Sequence, residues 1–193
     1  MNLLLLSSPF IAFLTLQPGP SATSDDGIRQ VSAEKDLVAP TTPLRPLRRW
    51  IRDLVRDARR GSATLDRLIR AAESSGAVIY IDEAEADHRS WGGRTIFTSA
   101  SGGYIYLRIE LHRLRPHDTA ALLAHELQHA LEIVASGVTT RDEVARLYQR
   151  IGVESRGFRE SQFETEAAVR AGRATLVELR RRRVPAAAVM ASK

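Results

Sequence analysis

Five consecutive residues, His125-Glu126-Leu127-Gln128-His129, set the terms for this chain. Two histidines four apart stand one above the other only on an α-helix. The surrounding sequence reads as one. Leu123, Leu127, Leu131 and Val134 recur at i, i+4, i+8 and i+11, a single apolar stripe expected to be the core face. Asp118 or Thr119 can cap the start and Gly137 can stop the end, so the helix is expected to run to about Ser136. His125 and His129 share a different face, and two imidazoles so placed can bind one tetrahedral zinc ion. Glu126 projects about 100° further round the helix. It is then beside the metal rather than on it, where it can take a proton from a water on the metal.

A zinc site that keeps a position open for water needs a third protein ligand. The chain has no cysteine, so neither thiolate sites nor disulfides are possible, and the ligand must be histidine or a carboxylate. No histidine follows His129. Glu132 shares the face of His129 but lies seven residues from His125, about 10 Å along the axis. It is expected to be a supporting or surface partner. Glu160, Glu164 and Glu166 remain, all near the start of the last long helical segment.

The rest of the chain divides readily. With 193 residues, 44% apolar and 26% charged, one domain of ordinary size can bury its own core. Leu3 to Leu16 is almost wholly apolar, too short to span a bilayer. It fits the apolar region of a signal peptide, with residues 1–24 as the segment, and export to the periplasm or medium follows. The cytoplasm is the alternative, since no Lys or Arg precedes the apolar run. Residues 25–43, rich in Pro, Ser and Asp, read as a disordered linker. The folded domain is expected over 44–184, and 185–193 as a flexible tail.

Within the domain, apolar spacing predicts helices over Leu47 to Arg60 and Ser62 to Ser75. Ala77 to Ile81, Arg94 to Thr98 and Tyr104 to Leu111 read as strands, the last two joined by a turn at Ser101-Gly102-Gly103. Helices are expected again over Thr140 to Ile151 and Ser161 to Arg183. Helices, a small antiparallel or mixed sheet, then helices make an α+β fold.

The residues from His125 to His129, followed by Phe163-Glu164-Thr165-Glu166-Ala167-Ala168, resemble the gluzincins, especially the small bacterial minigluzincin-like metallopeptidases. The resemblance covers roughly residues 76 to 180. It implies a zincin-like fold, with the sheet packed on the motif helix and a C-terminal helix carrying the glutamate ligand. It implies zinc as cofactor, and Glu164, in the spacing Glu164-x-x-Ala167, as third ligand beside His125 and His129. It implies Glu126 as the catalytic base of a peptidase acting on a peptide or protein substrate. An edge strand holding extended substrate is also implied, with Tyr104 to Leu111 or Arg94 to Thr98 as candidate. Several gluzincins carry Asp where this chain has Ala168, so the role of that Asp is unassigned. Ala167, Ala168 and Ala171 offer a small-residue surface able to pack closely on the motif helix.

Other readings are less well supported. Glu85-x-x-His88 and Glu126-x-x-His129 together match the spacing of di-iron bundles, but the first copy follows a strand and His125 is left unused. His88, His112, His117, Tyr148 or an arginine could stabilise an oxyanion. The net charge of +5 rests on arginine, since only Lys35 and Lys193 are lysines. Acidic residues are interspersed among the arginines, so nucleic acid is not an expected partner, and no integral membrane span is expected. The alternative to an enzyme is a non-catalytic zinc-binding or envelope-interaction module.

Overall fold

A computed structural model describes Ala12–Phe13 and residues 42–85, 92–156 and 161–182. The expected signal segment apart from Ala12–Phe13, nearly all of the linker, and the tail 185–193 lie outside the described residues, as do His88 and Glu160.

The fold is α+β. Strands β1 (Ala12–Phe13), β2 (Leu44–Pro46), β3 (Ala77–Glu83), β4 (Gly93–Ser101) and β5 (Tyr104–Leu111) form a mixed sheet in the order β1-β4-β5-β3-β2. β4 and β5 are an antiparallel hairpin, and every other neighbour is parallel. The hairpin turns at Gly102 and Gly103, whose φ of 58° and 78° suit a two-residue turn that side-chain-bearing residues resist. Side chains alternate across the strands. Ile79, Ile81, Phe97, Leu107, Ile109 and Leu111 enter the core shared with the helices, while Tyr80, Asp82, Arg94, Tyr106, Arg108 and Glu110 occupy the other face.

The two strands expected as edge candidates separate here. β5 is bonded on both sides, to β4 and to β3, so it cannot be an edge. Among the described residues, β4 is paired by β1 only at Gly93 and Arg94.

Among the described residues there are five helices: α1 (Arg49–Gly61), α2 (Ala63–Glu73), α3 (Pro116–Ala135), α4 (Arg141–Ile151) and α5 (Glu166–Arg182). None is long and apolar enough to cross a membrane. α1 starts two residues later than its apolar spacing predicts. The Leu47 amide donates to the Ile81 carbonyl, which continues the β2 pairing, and the Leu47 side chain is exposed. α3 starts earlier than expected, with Pro116 in the first position, where a missing N–H costs nothing. Thr119 therefore sits inside the first turn, and its hydroxyl accepts from the Leu114 amide at 3.0 Å.

α3 also departs from the single-stripe reading. Ala120 through Leu127 are all buried, with His129, Ala130 and Ile133, whereas Leu131 and Val134 are only half-buried. The reason is position: α3 lies between the sheet and α5. Fully burying Leu122, Leu123 and Leu127 contributes roughly 1.5–3 kcal/mol each to holding it there. On the α5 side the approach is closer still. Ala168 and Ala171 are buried, and a Cβ on Gly172 would stand 3.1 Å from the Ala121 carbonyl oxygen and 3.5 Å from the His125 Cβ. The helices meet at the level of His125 because α5 presents small residues there.

The long final helix expected from Ser161 is corrected. β6 (Val153–Arg156) and β7 (Ser161–Glu164) form an antiparallel hairpin, with Val153 opposite Glu164, and α5 begins only at Glu166. Ser161 to Glu164 contains one apolar residue, Phe163, so no helical stripe pulls it into α5. Thr165 makes the switch: its hydroxyl accepts from the Ala168 amide at 3.1 Å and caps the helix. Glu164 therefore stands at a strand end, one residue before the helix cap, and not on the helix.

Candidate metal centre

Three side chains from two parts of the fold meet beside α3. The Nε2 atoms of His125 and His129 are 3.1 Å apart, and Oε2 of Glu164 is 3.2 Å from Nε2 of His125. The donor atoms of the three all lie within 4.8 Å of one another. Donors bound about 2.0–2.1 Å from a tetrahedral zinc stand about 3.3 Å apart, so two of the three separations already match. Both histidines are buried, His125 to 1% exposure, and Glu164 is half-buried. Glu166 is not part of the group: it is exposed and pairs with Arg170 on its own helix.

The chemistry of the donors also fits a cation. Nδ1 of His129 lies 3.1 Å from Oε2 of Glu132. If Nδ1 carries the proton that this contact calls for, Nε2 turns a lone pair toward His125. A positive ion between the two rings satisfies lone pairs on both. Glu132, expected as a supporting or a surface partner, lies beside Nδ1 on the far side of the His129 ring.

Glu126 occupies the core side of the group. It is fully buried, and Thr95 Oγ1 lies 2.9 Å from both its carbonyl oxygen and its Oε2, which share the one hydroxyl proton. Its Oε1 is buried without a partner among the described residues. Burial pushes the Glu126 carboxyl above its ordinary value, against the opposing pull of His125, His129 and Thr95. For His125 burial acts to lower the pKa, but the Glu164 contact and the charges of Glu126 and Glu164 outweigh it and leave the group raised. Burial alone would raise Glu132. Its contacts with His129, Thr165 and Gln128 win, and it lies below the ordinary range. Their surroundings thus shift the carboxyls of Glu126 and Glu132 in opposite directions.

Thr95 was not visible as a site residue in the sequence. The signal was present: on β4 the core face carries Gly93, Thr95 and Phe97, and a threonine on a buried face calls for a partner. Tyr148, a candidate oxyanion stabiliser, is placed otherwise. It is buried, its ring stands edge-on to His129 at 5.4 Å, and its hydroxyl donates to the His129 carbonyl oxygen at 3.0 Å. Burial, then the charges of Glu132 and Glu126, push that hydroxyl well above its ordinary pKa. His117 lies apart from the cluster, in a surface concavity with Arg115, Pro116, Asp118 and Arg180 at the start of α3. Nine residues separate Pro116 from His125, about 13 Å of helix.

Comparison of the chain with family models, with curated proteins and with solved structures gives no match. The functional reading therefore rests on the geometry of the cluster.

Proposed function

We propose that the chain is a zinc-dependent hydrolase, and in particular a peptidase, with His125, His129 and Glu164 holding the metal and Glu126 acting as general base. The observation that carries the reading is a juxtaposition. Two imidazole nitrogens and a carboxylate oxygen converge at 3.1 and 3.2 Å, next to a fully buried glutamate with one oxygen unpartnered among the described residues.

When bound, the metal supplies a Lewis acid that acidifies water and polarises a carbonyl. The chain's own residues do the rest. Glu126 takes the proton from the attacking water and passes it to the leaving amine, a task suited to a carboxyl raised by burial. Thr95 fixes one oxygen of Glu126 and leaves the other for proton transfer. β4, which beyond Arg94 has no partner on its β1 side among the described residues, would supply main-chain donors and acceptors for an extended peptide. Zinc, the peptide substrate and the zincin-like character of the fold all belong to this proposal, as does export through the N-terminal segment.

A second reading is a metal held for structure alone, and the burial of His125, Glu126 and His129 is the observation in its favour. One experiment separates the two. Zinc-loaded full chain is incubated with an unstructured protein such as casein, beside the Glu126→Gln variant and a chelated sample. Hydrolysis by the wild type alone, with zinc retained by both loaded proteins, supports the peptidase. Stoichiometric zinc with no hydrolysis supports the structural metal.

A further inference from the structure

Glu164 and His129 come from segments 35 residues apart, and something must hold them in register to within a fraction of an ångström if they are to share an ion. The metal-facing atoms do not provide this by themselves. Behind them lies a second set of contacts. Oε2 of Glu132 faces Nδ1 of His129 at 3.1 Å, and Oε1 of the same carboxylate accepts from the Thr165 hydroxyl at 2.8 Å and from Gln128 Nε2 at 3.3 Å. Thr165 is the residue directly after Glu164, and its hydroxyl also accepts the Ala168 amide that starts α5. Thr165 is buried and Glu132 is half-buried, so water competes little for these contacts.

We propose that Glu132 and Thr165 are a positioning pair that locks the tautomer and angle of His129 to the location of Glu164. Each end has a defined task. Glu132 accepts from His129 Nδ1, which fixes the proton there and turns the Nε2 lone pair to the site. Thr165 is used on both sides of its hydroxyl: its proton goes to Glu132, and its lone pair receives α5. Any movement of the β7–α5 junction that carries Glu164 is thereby transmitted to Glu132 and to the His129 ring. Tyr148 closes the back of the pair, stacked edge-on to His129 and bonded to its carbonyl. The pair touches no substrate and acts through the ligands.

The proposal rests on the metal site described above, and its test keeps the two apart. Zinc affinity is measured by competition with a chromophoric chelator for the full chain and for Glu132→Ala, Glu132→Gln, Thr165→Val and Thr165→Ser. Cobalt(II) spectra and metal-free melting temperatures are recorded for each. Supporting-shell partners of ligating histidines are typically worth 10–100-fold in metal affinity, so Glu132→Ala should weaken zinc binding by about that factor. Glu132→Gln and the near-isosteric Thr165→Val should weaken it several-fold and shift the cobalt spectrum. Thr165→Ser should restore both. Affinity changes that merely follow the metal-free melting temperature, with no rescue by serine, would overturn the positioning role. So would wild-type affinity in Glu132→Gln and Thr165→Val alike. If the wild type itself binds no zinc, the metal site and the pair fall together.

Discussion

A cluster of ionisable side chains lies on each side of the main sheet, and the two are built on opposite terms. On the face away from the helices, Asp82 accepts from Arg48 at 2.9 Å and Arg108 at 3.0 Å, and Glu110 accepts from Arg94 at 2.7 Å and Arg108 at 3.2 Å. Three guanidinium groups serve two carboxylates, and both oxygens of each acid are used. On the helix face, Glu126, Glu132 and Glu164 meet two imidazoles that carry no obligatory charge. The first cluster is complete with the cations the chain supplies. The second, among the described residues, sets three carboxyl groups beside two facing imidazole nitrogens. A divalent ion would take donors from both kinds of group, and that contrast is a physical argument for a metal independent of any motif.

The contrast predicts effects of opposite sign when a carboxylate is removed. The largest is at Glu126. Glu126→Gln should lower hydrolysis by about 10²–10⁴-fold, the usual worth of general base catalysis, with zinc content unchanged. The same substitution should raise the melting temperature of the metal-free protein at pH 7. A carboxyl whose folded pKa is raised by burial subtracts stability as pH rises above its ordinary unfolded value, a loss complete above the folded one, and glutamine removes the titrating group while keeping the shape. A lower melting temperature for Glu126→Gln would erase the distinction between the two faces.

At Glu110 the sign reverses. Glu110→Ala takes away the acid that Arg94 and Arg108 both use, on a side chain only 10% exposed. Stability should fall by about 1–3 kcal/mol in urea titrations, the cost of disrupting buried polar contacts, while zinc affinity stays within twofold. A tenfold loss of zinc affinity in this variant would mean that the faces are coupled.

The smallest effect sharpens the comparison with a third carboxylate. Glu178 accepts from the Ser62 and Thr64 hydroxyls at 2.6 and 2.7 Å and from the Thr64 amide at 3.0 Å. Partial burial pushes its pKa up, but these contacts and the nearby Arg67 outweigh it and hold the group below its ordinary value. The sign follows. Its stabilisation is present in full above the ordinary glutamate pKa of about 4.3 and is lost as pH falls through the lower folded value. Glu178→Gln should flatten the acid limb of melting temperature against pH without touching zinc binding. An unchanged acid limb would contradict the assignment.

Much of the arrangement was legible in the sequence because it is local. The hairpin from β4 to β5 follows from alternation and two glycines, and the His125/His129 pair follows from helical spacing. Glu132 could be set behind His129 by the same geometry. What was not legible depends on distant contacts. α3 is buried on more faces than its apolar stripe suggests, because α5 covers the side where small residues sit, and Gly172 rather than another alanine allows the closest approach. Thr95 meets Glu126 across 31 residues. β7 falls inside the stretch expected to be the final long helix, yet it pairs with β6 and places Glu164 at a strand end. β5 lost its candidacy as an edge only through the parallel pairing with β3, which no local pattern in either strand announces.

The central claim is that His125, His129 and Glu164 form one metal site. Metal analysis of the full chain after equilibration with zinc and dialysis tests it directly, alongside His125→Ala, Glu164→Ala and Glu166→Ala. The account predicts one equivalent of zinc in the wild type and in Glu166→Ala, and loss of that zinc in His125→Ala and Glu164→Ala. A wild type without zinc, or a Glu164→Ala variant that holds zinc as tightly as the wild type, would contradict it.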